Sequence, residues 1–273
     1  MKESVAIFIH YSTNHKVEKY VKFYIEKILD FFDSIIVVTN LVSPSVNDFS
    51  NNLKVSVIKE ETNNYDFGKF YLAFKHLNLD NYDKIALIND SAVLFNDLDL
   101  IFTKGDSLNK DFWGITDSKE IVPGYITQNT YHIQSYFLIF NKKAIPILDR
   151  FFKNINIEEF FKQNLSVREL RMKIVVDLEI GLSQFMLKNN ITAGSIFSCN
   201  ELAQKFKRDI NKLNLHIALW KELIEMGYPF IKRKIVTNGF DPVYEKNLID
   251  SFLGWQTIIK EYSSEEFKKL NII

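Results

Sequence analysis

The sequence has few of the residues that cross-link a chain or interrupt its regular structure. Its single cysteine among 273 residues excludes an internal disulfide and any zinc site built on several cysteines. One thiol also fits a reducing compartment, so the cytoplasm is the expected location. Nine glycines and five prolines form no flexible linker, and no segment repeats along the chain. We therefore expect a single domain over residues 1–273.

The sequence also has no excess of charge of either sign and no long apolar run. The 34 basic and 34 acidic side chains cancel, and without an excess of Lys and Arg no nucleic-acid partner is expected. No run approaches the roughly eighteen consecutive apolar residues of a membrane helix. The opening segment MKESVAIFIHYS lacks the length and the cleavage site of a signal peptide. The 47% of hydrophobic residues is instead what one sizeable globular core requires.

Apolar strands alternate with amphipathic helices in the first third of the chain. The hydrophobic pattern predicts strands at 5–9, 34–39, 54–58 and 84–88, with helices at 17–29 and 67–77. Beyond residue 100 follow a strand, HIQSYFLIF, and helices near 158–172, 176–188 and 215–226, the last of them ended by Gly227. The predicted fold class is α/β, with a mixed, mainly parallel sheet flanked by helices.

Three small polar residues, Asn89, Asp90 and Ser91, interrupt the apolar segment KIALINDSAVLF. Ligands bind beyond the carboxyl ends of strands in open α/β sheets, and this triplet follows such a strand. Asp90 is therefore a candidate ligand of Mg or Mn, and its two neighbours are candidates for orienting it or for contacting a phosphate or ribose. The alternative is an ordinary turn, which these residue types favour.

A second polar segment, ETNNYDFGKFYLAF, leads into a helix. Asn64 precedes the helix, Asp66 suits its N-cap and Gly68 allows close backbone approach. Because a helix amino terminus attracts phosphate, this segment is a candidate anion site. The alternative is an ordinary capped helix with Lys69 at the surface.

The alternating pattern of apolar residues in HIQSYFLIF predicts a strand with one buried face. His132, Gln134 and Ser135 lie at the start of this strand. These three residues would line a cleft, where His132 could ligate a metal or bond a sugar hydroxyl, although a lone His is more often a structural hydrogen-bonding group.

Two further groups are candidates for chemistry or for charge neutralisation. In VVDLEIGLSQFML the apolar stripe leaves Asp177 and Glu179 on flanking helix faces, where either carboxylate could act as a general base or lie in solvent. In YPFIKRKIV, Lys232 and Arg233 could neutralise a diphosphate, or belong to a basic surface run.

Taken in order, the segments NNYDFGKF, YDKIALINDSAVLF, DFWGIT, HIQSYFLIF, DLEIGLSQFML and GYPFIKRKIV resemble the landmarks of the rhamnan synthesis protein F family over roughly residues 5–240. The resemblance implies a GT-A-like fold and a glycosyltransferase that builds bacterial surface polysaccharide. It places Asn89, Asp90 and Ser91 where related folds carry the metal-binding DxD motif. Only one carboxylate remains in that motif here, which leaves the need for a metal open.

The same resemblance implies roles for the other candidates. Tyr65 and Asp66 would contact the nucleotide or diphosphate, and His10 would lie near the base. His132, Gln134 and Ser135 would face the donor sugar and the acceptor. Glu179 matches the Glu of the family's E-x-G-L helix and is the expected general base, with Asp177 ranked second.

The expected reaction is transfer of a sugar from dTDP-rhamnose or a UDP-sugar to a glycan or lipid-linked glycan, with inversion. A lipid-linked acceptor would bring the protein into peripheral contact with the inner membrane. Residues 1–100 would form the nucleotide-sugar half, 101–240 the acceptor and catalytic half, and 241–273 a helical tail. The alternatives are a catalytically inactive scaffold or glycan-binding protein, and a nucleotidyltransferase. The latter is disfavoured because no glycine-rich phosphate loop follows the first strand.

Overall fold

The computed structural model describes residues 3–62, 64–119, 129–207, 214–237 and 252–272. Its strands are β1 (Glu3–His10), β2 (Ser34–Thr39), β3 (Val55–Lys59), β4 (Tyr82–Asn89), β5 (Ala92–Leu94), β6 (Phe112–Ser118), β7 (His132–Ile133), β8 (Phe137–Asn141), β9 (Ala193–Phe197) and β10 (Phe230–Lys232). Its helices are α1 (Lys19–Leu29), α2 (Val46–Phe49), α3 (Tyr65–Lys75), α4 (Asp99–Ser107), α5 (Ile145–Asn154), α6 (Ile157–Phe161), α7 (Val167–Lys173), α8 (Gly181–Lys188), α9 (Cys199–Phe206), α10 (Leu215–Ala218), α11 (Trp220–Glu225), α12 (Arg233–Val236), α13 (Trp255–Tyr262) and α14 (Glu265–Lys269).

Eight strands form one sheet in the order β3-β2-β1-β4-β8-β6-β7, and β9 pairs with β6. Strands β1 to β4 run parallel, β8 is antiparallel to β4, and β6 is antiparallel to β8. The predicted class, a mixed, mainly parallel sheet flanked by helices, is therefore confirmed. A separate two-stranded ladder joins β5 to β10.

The strand order reverses direction between β1 and β4. Strands β2 and β3 lie on one side of β1, and β4 lies on the other. His10 ends β1 and Asn89 ends β4, with Ile9 directly opposite Asn89 in the register. Open α/β sheets bind their ligands at such a switch point, because the connecting segments diverge there and leave a crevice.

Both faces of the sheet are buried. In β1, Ala6 and Phe8 pack with α1 on one face, while Val5, Ile7 and Ile9 pack with α3 and α5 on the other. All five residues have no exposed surface. A continuous apolar run is the pattern expected of a parallel strand covered by helices on both sides, which explains why these segments were readable from the sequence.

The segment HIQSYFLIF differs from the prediction in two ways. It is not one strand, because a turn at 134–136 separates β7 from β8. Burial of one face alone is also wrong, since both residues of β7 and the first four of β8 are buried. Helices on one side and the α10–α11 region on the other cover this part of the sheet, so no face is left for solvent.

Helices lie near the predicted positions, but two of the predicted helices are interrupted. The stretch predicted at 158–172 is broken between α6 and α7, and the one at 215–226 is broken at Leu219 between α10 and α11. Gly227 then has φ +92°, the left-handed backbone expected of a glycine that ends a helix. A π-helical stretch at Ile174–Ile180 joins α7 to α8, and no feature of the apolar pattern marks it.

Within the described ranges, no helix is long and apolar enough to cross a membrane. The predicted helical tail corresponds to α13 and α14, while 241–251 lie outside the described residues.

Candidate active site

A buried ion pair lies at the switch point between β1 and β4. The Asp90 carboxylate follows β4 directly and receives a hydrogen bond from Arg233 Nη1, with 2.5 Å between Nη1 and Oδ2. The same oxygen accepts the backbone N–H of Tyr11 at 3.2 Å. Burial raises the pKa of Asp90, although the positive charge of Arg233 opposes the shift. Asp90 thus joins the loop after β1 to the start of α12.

Asp66 and Asn89 connect the start of α3 to the end of β4. Asn89 Nδ2 donates to Asp66 Oδ2 at 2.8 Å, and Asn89 Oδ1 accepts the Ser91 N–H at 3.0 Å. The predicted N-cap role of Asp66 is wrong, because Asn64 is the N-cap residue and Asp66 lies in the first turn. Its carboxylate is therefore turned towards the sheet edge instead of the helix amides.

Burial is the main reason that the pKa of Asp66 is raised to about 7, and repulsion from Asp90 is the next. Glu179 raises it further, whereas Lys69 and Arg233 act in the opposite direction. The charges of these four groups therefore all act on Asp66. Perturbed carboxyl groups of this kind are frequent at functional sites.

The backbone at the start of α3 is strained. Tyr65 has φ +48°, a left-handed conformation that is unfavourable for a bulky side chain and costs on the order of 1–3 kcal/mol. The Tyr65 ring stacks on Phe161. A Cβ on Gly68 would come within 2.4 Å of the Asn64 Cβ, so a larger residue would collide with the N-cap residue of α3, while close backbone approach at Gly68 stays a prediction. Asn63 lies outside the described residues.

Lys69 is a cation of the site and not of the surface. Its side chain projects from α3, the residue is 3% exposed, and its ammonium lies 5.0 Å from the centre of the Tyr11 ring. Burial lowers its pKa, an effect that the charges of Asp66 and Asp90 oppose. The surface alternative for Lys69 is therefore wrong.

His10, at the end of β1, is fully buried. Its Nδ1 is 2.8 Å from Thr39 Oγ1, and its Nε2 lies 3.7 Å from Glu18 Oε2. Partial burial tends to raise the pKa of Glu18, but the interactions with His10 and the positive charge of Arg233 lower it overall. Glu18 thus extends the charged cluster towards the amino terminus of α1.

Glu179 belongs to the crevice, and Asp177 belongs to the surface. Glu179 Oε1 accepts the backbone N–H of Ser135 at 2.7 Å, in the turn that separates β7 from β8. Asp177 instead pairs with Lys173 at 2.6 Å, with 40% of its side chain exposed. Both carboxylates lie on the π-helical stretch, a rare wide helical turn that recurs at functional sites. The arrangement favours Glu179 over Asp177, as the sequence ranking did.

Two of the three predicted sugar-binding residues have side chains that bond inside the protein. His132 Nδ1 bonds to the Thr130 carbonyl at 2.7 Å, and Gln134 Oε1 accepts from Thr116 Oγ1 at 2.7 Å. Both side chains are buried within the protein. Of the three residues, Ser135 contacts Glu179, through its backbone N–H. Acceptor binding by His132, Gln134 and Ser135 therefore stays a prediction. Lys232 is partly buried in β10, opposite Ala92.

Several residues of the site were not found from the sequence. Tyr11 supplies both a backbone donor to Asp90 and the ring beneath Lys69, and Glu18 approaches His10. Glu18 could have been found from the sequence, because a helix that follows a parallel strand begins near the carboxyl end of that strand. Glu18 precedes α1, which follows β1. Thr116 and His216, which are 2.9 Å apart, gave no signal because they meet only in the folded core.

The residues at the sheet edge do not fit a divalent metal held by the protein. Among the described residues no three His, Cys, Asp or Glu side chains are grouped to hold a metal ion. Asp90, the predicted metal ligand, is occupied on Oδ2 by a guanidinium and a backbone N–H. Magnesium and manganese prefer several oxygen ligands, and a cation already neutralises this carboxylate.

These features define a doubly wound α/β protein with a cluster of charged side chains at its switch point. The chain belongs to the rhamnan synthesis protein F family, whose model matches residues 34–256. A related protein is the virulence protein VirA of Vibrio anguillarum, 26% identical over 235 residues, which cover 75% of this chain and 70% of VirA.

Two solved structures show limited similarity to the fold. One is 4-diphosphocytidyl-2C-methyl-D-erythritol synthase from Anaerococcus prevotii, with a TM-score of 0.44 at 13% identity, covering 71% of this chain and 88% of that protein. The other is the apo-form glycosyltransferase GlyE of Streptococcus pneumoniae, with a TM-score of 0.44 at 12% identity, covering 96% of this chain and 63% of that protein.

Proposed function

We propose that this protein is an inverting glycosyltransferase that moves a sugar from a nucleotide diphosphate donor to a hydroxyl of a bacterial surface glycan. Glu179 takes the proton of that hydroxyl while its oxygen bonds to the anomeric carbon of the sugar. The bond from that carbon to the diphosphate breaks, and the nucleoside diphosphate leaves with the electron pair. A base positioned in this way contributes about 10²–10⁴-fold to the rate.

The observation that carries the proposal is the position of Glu179. Its carboxylate is held by the Ser135 N–H at 2.7 Å, and it acts electrostatically on Asp66 across the crevice. A donor bound at the switch point would thus place its anomeric carbon between the β4 edge and this base. Membership in the rhamnan synthesis protein F family supports a transferase acting on glycans.

A cavity beside the crevice offers room for the nucleoside. It has a volume of about 470 Å³ and lies between the loop after β1 and the loop after β2. Val17, Leu41 and Val42 supply apolar surface, and Lys16 and Lys22 supply positive charge. A flat base and its adjoining phosphate require such a combination of apolar contact and cations.

The finer assignments follow the family. dTDP-rhamnose is the first donor to test and UDP-sugars are the second, with a glycan or lipid-linked glycan as acceptor. A lipid-linked acceptor would require peripheral contact with the inner face of the plasma membrane. Tyr65 and Asp66 would then contact the nucleotide or diphosphate, with His10 near the base, and Ser135 would contact the acceptor.

The test compares Glu179→Gln with the matched control Asp177→Asn on the same π-helical stretch. Thermal unfolding with dTDP-rhamnose, UDP-hexoses, GDP-mannose and CMP-sugars, each with and without manganese, first identifies the donor. A ligand at one hundred times its dissociation constant stabilises a protein by about 2.7 kcal/mol. Transfer is then measured with that donor.

We expect Glu179→Gln to bind donor like the unmodified protein and to lose about 10²–10⁴-fold in turnover, while Asp177→Asn retains activity. Turnover that survives in Glu179→Gln would remove the base assignment. If no nucleotide sugar stabilises the protein, the inactive scaffold becomes the better reading. The feature that favours the scaffold is the Asp90–Arg233 pair, because it engages the one carboxylate of the Asn89–Ser91 triplet.

A further inference from the structure

Arg233 is bonded to Asp90, the residue that the sequence offered as a metal ligand. Its guanidinium is bonded to the single carboxylate of the Asn89–Ser91 triplet, with side chains that are 22% exposed for Arg233 and 8% for Asp90. Hydrogen bonds between ionised groups are short and strong, particularly where water has limited access. A divalent ion that bound Asp90 through this oxygen would have to displace the guanidinium and leave its charge partly buried.

The backbone as well as the side chain fixes Arg233 at this edge. Strand β10 pairs antiparallel with β5, and Lys232 lies opposite Ala92. The next hydrogen bond runs from the Arg233 N–H to the Ser91 carbonyl at 2.9 Å. The ladder therefore continues into the triplet itself, and the surface alternative for Arg233 is wrong.

Lys69 supplies a second cation whose charge has no close partner. Its residue is 3% exposed, and within the described part of the chain its ammonium makes no hydrogen bond or ion pair, only the contact with the Tyr11 ring. A buried charge without a hydrogen-bonded counter-ion is unfavourable, and a bound anion would relieve that cost. Lys69 thus has an ammonium group that is available to bond an anionic ligand.

We propose that Arg233 and Lys69 bind the donor diphosphate directly, so that donor binding and the departure of the nucleoside diphosphate need no divalent metal. This inference rests on the proposed function. A guanidinium has five N–H donors, and the bond to Asp90 Oδ2 uses one, which leaves others for phosphate oxygens. Negative charge that develops on the leaving diphosphate is stabilised by the same two cations.

Calorimetric binding of dTDP, UDP and GDP, in EDTA and then in manganese, tests the inference on the full chain. At least one of these nucleotides is expected to bind equally well in both conditions. Arg233→Ala and Lys69→Met are each expected to weaken binding in EDTA by about tenfold or more, the usual loss for a hydrogen bond to a charged group. Arg168→Ala, on an exposed part of α7, is the matched control and should bind like the unmodified protein.

Arg233→Ala leaves Asp90 buried without its partner and could unfold the protein. The combined change Asp90→Asn with Arg233→Met removes both charges, and it should likewise lose binding in EDTA. Binding that requires manganese overturns the inference and leaves the proposed function standing. Binding in EDTA that neither Lys69→Met nor the combined change weakens also overturns it. Absence of nucleotide binding in both conditions overturns the inference and the proposed function together.

Discussion

Replacing Asp66 by Asn removes an ionisable group whose charge the fold disfavours. The side-chain oxygen of the new Asn can still accept the hydrogen bond that Asn89 now donates to Asp66 Oδ2. What disappears is the carboxylate charge, which burial, Asp90 and Glu179 all oppose. The substitution therefore isolates the electrostatic cost of keeping Asp66 in the crevice.

The free-energy cost of ionising Asp66 in the folded protein depends on pH, and its direction follows from the raised pKa of Asp66. The pKa of Asp66 rises from 3.8 to about 7 on folding, so between these values the folded protein holds a proton that the unfolded chain has released. Stability then falls as pH rises, by up to about 1.4 kcal/mol per pH unit. The cost is absent below the unfolded pKa and complete above about pH 7, where it reaches at most about 4 kcal/mol. Partial exposure of Asp66 screens part of it, so we expect about 2 kcal/mol between pH 5 and pH 8.

Urea unfolding of both proteins at pH 5, 6, 7 and 8 measures this difference. Titrating groups that do not interact with Asp66 behave alike in the two proteins, so their effects cancel when the free energies of unfolding are subtracted. We expect the free energy of unfolding of Asp66→Asn to increase relative to that of the unmodified protein as pH rises. This difference should level off above about pH 7. A difference that is the same at all four pH values would refute the reasoning, because the Asp66 carboxyl would then titrate alike in the folded and unfolded states.

Two other substitutions test the packing that supports the site. Gly68→Ala places a Cβ 2.4 Å from the Asn64 Cβ, and overpacking should outweigh the better helix propensity of Ala, for a net loss of about 1–2 kcal/mol in urea unfolding. Unchanged or increased stability would show that Asn64 moves aside freely. His216→Phe removes the bonds from the buried ring to Thr116 Oγ1 and to the Tyr228 hydroxyl, which are 2.9 and 2.7 Å long. The loss should be about 2 kcal/mol or more by the same assay, and a smaller one would mean that the two hydroxyls find other partners.

The parallel half of the fold was predictable because its strands carry their signal locally. Continuous apolar runs mark β1, β2 and β4, and their order predicts which strand ends meet. His10, Asn89 and Asp90 could therefore be placed at one edge from the sequence. The segment around the start of α3 could be recognised as polar and glycine-containing, but the strained backbone of Tyr65 could not be foreseen.

The remaining site residues depend on contacts that no local pattern reveals. Arg233 reaches Asp90 because a three-residue strand, β10, pairs with an equally short β5, and such strands are set by tertiary packing. The orientation of Glu179 depends on the π-helical stretch, whereas sequence periodicity assumes the spacing of an α-helix. His132 and Gln134 were expected at a cleft, but their side chains bond inside the protein, because the turn at 134–136 redirects the chain.

The bond between Asp90 and Arg233 joins residues 143 positions apart in the sequence. Loop-closure entropy makes such a contact one of the later ones to form, after the local pairing of β1, β2 and β4. During synthesis the amino-terminal sheet can emerge from the ribosome and fold while the carboxylate of Asp90 still lacks its bond to Arg233. The Asp90–Arg233 pair is therefore completed late, when the segment containing β10 docks, and a nascent or truncated chain that ends before this segment has the sheet edge without the guanidinium that we propose binds the diphosphate.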